Sequence, residues 1–353
     1  MLPRQLWRLA RPRLVTALAG AWLALIGTAS PWPGPDVVGF RPRVAPVEPA
    51  HAADGRILGI IGRQAGWLNL EAPRPRVLTN VPSPAFVMDL DAVVASRLAV
   101  LAVVQSLPSS QAEPGGDLMA LDLSGPGTLT PLVPRADASE WLGAPTWLPD
   151  GSGLLFQRED LRAAPDLYAG QAAVRYPSRV ERATASGQDR AILIEHAFHP
   201  SPAPDGSEIA FLRTSPGGSS LLALDLSTRQ ERTLVRAGAQ PDLAYPRYSP
   251  DSRQVAFLAT SLSGRTELRF APWLAPTAYA HGAPWDLWIV GRDGSGPRQL
   301  AAVGADDASL AWSPDGAAIF VYGSTGARLV DVASGQTTLL SYLAGFGAVA
   351  WLP

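Results

Sequence analysis

Short apolar runs, each opened by the same polar turn, recur along the chain. Trp147-Leu-Pro-Asp-Gly-Ser-Gly-Leu-Leu-Phe156 returns as Ala203-Pro-Asp-Gly-Ser-Glu-Ile-Ala-Phe211, as Tyr248-Ser-Pro-Asp-Ser-Arg-Gln-Val-Ala-Phe257 and as Trp312-Ser-Pro-Asp-Gly-Ala-Ala-Ile-Phe-Val321. Proline fixes φ, aspartate bonds back to the backbone and glycine takes positive φ, so Pro-Asp-Gly predicts a tight turn. The apolar run after it predicts a buried strand. Each copy then continues with a second strand ending near a polar turn, such as Leu221–Asp225 or Leu287–Val290, and a last strand such as Thr337–Leu340. The unit is therefore four strands, beginning with a short inner one.

Two further units are degenerate. Phe86–Val104, Leu118–Leu123 and Thr128–Val133 keep the strand layout without the Pro-Asp-Gly turn, and the repeat interval puts a turn near Asp89. Asp54-Gly-Arg-Ile-Leu-Gly-Ile-Ile61 begins at the turn and lacks an inner strand, whereas Gly347-Ala-Val-Ala-Trp-Leu-Pro353 is an inner strand that stops where Asp-Gly should follow. Joined, the two ends restore one motif. A ring closed by its chain ends splits a unit in this way and leaves no exposed sheet edge. The expectation is an all-β, six-bladed β-propeller over residues 54–353, closed by pairing of the C-terminal strand with the N-terminal blade. Isolated units would not bury both faces of a four-stranded sheet.

The Trp-Ser-Pro-Asp-Gly…Ile-Ala-Phe pattern resembles the WD-like repeat of TolB-type six-bladed propellers, strongly over 144–353 and weakly over 54–143. The resemblance implies an exported binding or scaffold module. Similar repeats occur in the propellers of prolyl-oligopeptidase-like enzymes, whose catalysis sits in a separate α/β-hydrolase domain; none is expected here.

The amino terminus has a different character. Arg4, Arg8, Arg11 and Arg13 precede an uncharged apolar run, Leu14–Ala29, with small residues Gly27 and Ala29 before Ser30. That order predicts a signal peptide over 1–29, or an uncleaved signal anchor; the run is short for a bilayer span. Residues 30–53 carry six prolines and read as a linker. The body is expected outside the cytoplasm, periplasmic, in the envelope or secreted, touching a membrane only through the anchor.

Composition narrows the chemistry. The 353 residues include no cysteine, and all 29 basic residues are arginine. This removes disulfides, thiol chemistry, Schiff-base lysine and the phosphate-loop lysine. Arginines are interspersed with acids at a net charge of -2, so no nucleic-acid partner is expected. No Gly-x-Ser-x-Gly elbow or His-Glu-x-x-His motif occurs.

The Pro-Asp-Gly turns lie on one face of such a ring, and insertions between second and third strands lie on the other. Arg158–Pro177 and Ser261–Trp285 are those insertions. The second carries Phe270, Trp273, Tyr279, His281 and Trp285, aromatics suited to large contact area, and is the candidate binding loop, with a lid over the channel as the competing reading. The links between blades add Asp137 and Glu140, together with Glu195, His196, His199, Asp242, Asp306 and Asp307 as candidate metal ligands. No cofactor is expected; calcium is the cation such oxygen ligands would suit. Trp147, Trp312 and Trp351 share one repeat position and are expected to pack between sheets.

The reading is a non-catalytic module that binds a protein, peptide or glycan through its insertion-bearing face. The alternatives are a metal-assisted hydrolase or lactonase and an envelope-anchored sensor domain.

Overall fold

The computed structural model describes residues 56–70, 75–93, 97–104, 116–163, 177–215, 217–239, 242–260 and 284–353. Among these residues the chain forms antiparallel strands and no helix. Blade one holds β1 (Arg56–Ile61), β2 (Gln64–Leu68) and β3 (Arg76–Val77). Blade two is β4 (Phe86–Val93), β5 (Leu98–Val104), β6 (Gly116–Asp122) and β7 (Leu129–Val133). Blade three is β8 (Glu140–Trp147), β9 (Gly153–Asp160), β10 (Ser178–Thr184) and β11 (Ala191–Glu195). Blade four is β12 (Phe198–Pro202), β13 (Glu208–Ser215), β14 (Gly218–Asp225) and β15 (Glu231–Val235). Blade five is β16 (Leu243–Tyr248), β17 (Gln254–Thr260), β18 (Trp285–Gly291) and β19 (Arg298–Ala305). Blade six is β20 (Ser309–Trp312), β21 (Ala318–Tyr322), β22 (Ala327–Asp331) and β23 (Thr337–Leu340).

The last strand, β24 (Ala350–Leu352), completes blade one as its inner strand, with Ile57 opposite Trp351 and Leu58 opposite Ala350. The split unit read from the two chain ends is thus rejoined. Each inner strand touches the next around the circle β24, β4, β8, β12, β16, β20 and back to β24, which closes a six-bladed propeller. The Tyr322 hydroxyl in blade six donates to the Ile60 carbonyl in blade one at 2.7 Å and fastens the closing joint.

The core lies between blades. Phe156, Phe211 and Phe257 hold one position of the second strand and are fully buried, each contributing roughly 1.5–3 kcal/mol. Trp147 packs between blades two and three, Trp312 between five and six, and Trp351 between six and one. Charged clamps also join blades. Buried Glu208 accepts from Tyr248 at 2.6 Å and pairs with Arg232 at 2.6 Å and Arg292 at 2.8 Å, tying blade four to blade five.

The predicted turns form as the sequence suggests. At Asp205, the Ser207 N–H donates to Oδ1 at 3.0 Å, the Gly206 N–H donates to the Ala203 carbonyl at 2.8 Å, and Gly206 has φ +72°. Asp150, Asp251 and Asp315 repeat the arrangement, with Ser252 at φ 60° where the others have glycine. Three placements differ from the sequence reading. Asp89 is not in a turn but inside inner strand β4, because the first turn of blade two falls after Val93. The strand register carries Trp285 into β18, opposite Thr260, so the insertion ends before it. β9 runs on to Asp160, so the blade-three insertion begins after that residue.

Candidate functional site in the channel

Inner strands line the axis of a propeller, so the chemistry available to the channel is the chemistry of β4, β8, β12, β16, β20 and β24. Three of these share an irregularity. β8, β12 and β16 slip register at Ala144, His199 and Tyr245, which have φ of 44°, 48° and 47°, and each is followed by proline. A bulge leaves its N–H outside the strand ladder, and a buried N–H needs another partner. Each finds one on the preceding blade. Ala144 N–H donates to the Asp89 carboxylate, His199 N–H to Gln157 Oε1 at 3.3 Å, and Tyr245 N–H to His199 Nδ1 at 3.2 Å. The His199 and Tyr245 rings stack with centroids 4.7 Å apart. Tyr245 also packs against the apolar cluster of blades one and two, so it reaches across the axis.

Asp89 and Asp91 project from β4, and Arg247 from β16, which belongs to the blade diametrically opposite. Burial pushes the Asp89 carboxyl up to about 7; the pull of Arg247 and the N–H groups of Leu90 and Ala144 oppose that rise, and Asp91 adds to it. Asp91 is also raised by burial, against the pull of Arg247 and hydrogen bonds from the Trp147 N–H at 2.8 Å and Thr146 Oγ1 at 2.9 Å. Both carboxylates feel one guanidinium across the channel, so all three groups address the same space. A carboxyl held near neutrality beside a specific charge marks a candidate functional site.

The residues singled out from sequence fall elsewhere, for the most part. Phe270, Trp273, Tyr279 and His281 lie outside the described residues. Trp285 is half-buried at the start of β18 and packs on the core between blades five and six. Glu195 ends β11, and its carbonyl, like that of exposed His196, accepts from Arg213. Asp242 is buried before β16 and accepts from Ser219 Oγ at 2.8 Å and the Leu243 N–H at 2.9 Å. Asp306 and Asp307 are half-buried ahead of β20, and the Asp306 carbonyl caps Ser324. Glu140 opens β8 and pairs with Arg158 at 3.1 Å and Arg190 at 2.8 Å. Among the described residues, no three His, Asp or Glu side chains gather closely enough to hold a metal ion.

Of the candidates, His199 alone belongs to the channel cluster; Asp91, Tyr245 and Arg247 escaped the sequence reading, which named Asp89 only as a turn position. One signal was available. Pro145, Pro200 and Pro246 each stand four residues before the proline of a Pro-Asp turn and mark the positive-φ bulges of β8, β12 and β16.

No family model matches the chain, and no curated protein matches it. Solved structures do. A TolB from Acinetobacter baumannii aligns at TM-score 0.59 and 15% identity over 85% of this chain and 67% of its own. A putative TolB from Agrobacterium tumefaciens aligns at 0.55 and 14%, over 85% and 98%. A chain of a nidogen–laminin complex aligns at 0.58 and 10%, over 85% and 98%. The resemblance to TolB-type six-bladed propellers carried by the repeats is therefore matched in the fold.

Proposed function

We propose that the protein is a non-catalytic binding module, exported from the cytoplasm, that docks another protein on the insertion-bearing end of its ring. The observation that carries this reading is an apolar rim at the channel mouth. Met88 and Phe346 are 41% and 39% exposed, where most apolar side chains of their size are buried. The segment that carries Phe346 runs past the Met88 backbone: a Cβ on Gly347 would lie 2.6 Å from the Met88 carbonyl. Both stand where inner strands enter from the inter-blade links, the end that also carries the long insertions. Tyr342, 43% exposed, lies on the same link between β23 and β24. Clustered exposed apolar residues at a rigid rim are the usual mark of a protein contact. Two of the fold neighbours are TolB proteins and a third comes from a complex of two proteins, which agrees with this use of the fold. Export rests on the basic leader, the apolar run 14–29 and the small residues before Ser30.

A photo-crosslinking residue placed at Met88 or Phe346 in the source cell should trap one defined protein partner, and the same residue at Asp315 on the opposite face should not. Met88→Asp together with Phe346→Asp should abolish the adduct without lowering Tm by more than a few degrees. Equal crosslinking from both faces would defeat the reading. Amino-terminal sequencing of the mature chain tests export, with Ser30 as the expected first residue.

A further inference from the structure

Arg247 holds its charge in an unusual setting. The pairing of each inner strand with its neighbour places Ala350, Asp91, Thr146, Ser201, Arg247 and Ala311 at one level around the ring. The two hydroxyls are engaged: Thr146 Oγ1 donates to Asp91 at 2.9 Å, and Ser201 Oγ accepts from the Tyr248 N–H at 3.3 Å. The remaining side of the ring, between Arg247 and Asp91, carries only the methyl groups of Ala311 and Ala350. Among the described residues the guanidinium makes one hydrogen bond, from Nη1 to the Pro246 carbonyl at 3.0 Å, and touches no carboxylate. Five other arginines of the ring, Arg158, Arg190, Arg213, Arg232 and Arg292, each grip an acid directly.

A half-buried guanidinium with most of its donors directed at neither protein acceptor nor partner acid is a ready anion anchor, and its planar fork fits a carboxylate bidentately. We propose that Arg247 anchors the carboxylate of a ligand inside the channel. The facing wall selects the ligand class. Asp89 and Asp91 repel a multiply charged phosphate or sulfate, whereas a carboxylate brings one charge that Arg247 matches. The alanine side of the ring presents only methyl groups to its carbon chain, and Tyr245 lies two residues along the same strand as Arg247.

Binding must then be linked to a proton. Arg247 is the main group holding the Asp89 carboxyl down against burial. A carboxylate on Arg247 cancels that pull and adds its own repulsion, so Asp89 takes up a proton as the ligand binds. Apart from Arg247, the charged group facing Asp89 is Asp91 on its own strand. On the elements packed against β4, Glu140 of β8 is held by Arg158 and Arg190, and Arg63, in the turn joining β1 and β2, lies over the Phe86 ring. His199 and Tyr245 bond to each other across from them. Affinity should therefore rise as pH falls through neutrality, by about tenfold from pH 8 to pH 6.

The test is calorimetric titration of the full-length protein with sodium butyrate, a monocarboxylate, at pH 6 and pH 8, with sodium sulfate as the control anion. Two capped peptides, acetyl-Gly-Asp-Gly-amide and its Asn counterpart, separate a free acid from a protein side chain as the source of the carboxylate. Saturable butyrate binding, about tenfold tighter at pH 6 and weakened at least tenfold in Arg247→Gln, is expected. Arg247→Gln keeps the main-chain carbonyl that accepts from Trp312 Nε1, so the variant should fold. Asp89→Asn supplies an independent arm, with binding retained and its pH dependence lost. Binding of the Asp peptide but not the Asn peptide assigns the carboxylate to a protein partner; butyrate binding alone assigns it to a small acid. No saturable binding at pH 6, sulfate binding as tight as butyrate, or an Asp89→Asn protein with unchanged pH dependence would overturn the proposal. The rim variants Met88→Asp and Phe346→Asp should leave butyrate binding intact, so this site and the protein-docking reading fail separately.

Discussion

Aspartates sit in two kinds of place in this ring, and the contrast shows where its chemistry lies. Those in the turns, such as Asp150, Asp205, Asp225 and Asp293, accept from the hydroxyl or N–H of a serine two residues on, which holds their carboxyls below the ordinary range. Asp89 and Asp91 lie on an inner strand, where burial drives theirs upward. The residue type is the same and the shifts are opposite. A turn carboxylate is local, solvated and satisfied by its own segment. A channel carboxylate is desolvated, depends on groups from other blades and answers to an arginine on the far side of the ring. The turns therefore build the blades, and the channel is where a proton or a ligand can alter the energy of the molecule.

The largest expected effect is on pH dependence. The Asp89 carboxyl stands near 7 in the folded protein, above its ordinary 3.8. A group raised on folding adds stability below the unfolded value and loses it as pH climbs through the folded one. The stability of Asp89→Asn relative to the natural protein should accordingly improve by up to about 4 kcal/mol between pH 4 and pH 8.5. Urea denaturation at the two values measures this, and a constant difference would erase the contrast between channel and turns.

Asp91→Ala should cost about 3 kcal/mol at pH 7, because it strands the Trp147 N–H and the Thr146 hydroxyl in a buried place. His199→Phe keeps a ring against Tyr245 but removes the acceptor for its N–H, and should cost about 1.5 kcal/mol. Asp205→Asn is the turn-side control. Its carboxyl is lowered to about 2 by Ser207 and, further, by Arg292. The stability it supplies is present above the unfolded value and lost as pH falls towards 2. Since the side chain is 42% exposed, the loss at pH 7 should stay under about 1 kcal/mol. A larger loss from Asp205→Asn than from Asp91→Ala would reverse the ranking of the two regions.

The fold was legible because its signals are local. Pro-Asp-Gly, a run of apolar residues and an Asp-x-Ser turn each report a few neighbouring residues, and four near copies fix the unit. Even the closure was readable, since Trp351 occupies the repeat position of Trp147 and Trp312 and needed Ile57 beside it. The channel was not legible, since Asp91 and Arg247 face each other only when the two intervening blades have been wound. Asp89 was misplaced for a related reason: blade two lacks the Pro-Asp turn, so spacing alone assigned it a turn role that β4 takes away. Conversely, His196 and His199 look paired three residues apart, but the bulge at His199 directs its ring to Tyr245 while His196 stays at the surface.

The most direct test is a carboxyl carbon NMR titration of aspartate-labelled protein from pH 3 to pH 9, with Asp89→Asn for assignment. One resonance should titrate near pH 7 and vanish in the variant, while those of the turn aspartates titrate below the ordinary range. A spectrum in which every aspartate has titrated by pH 5 would contradict the separation of channel from turns.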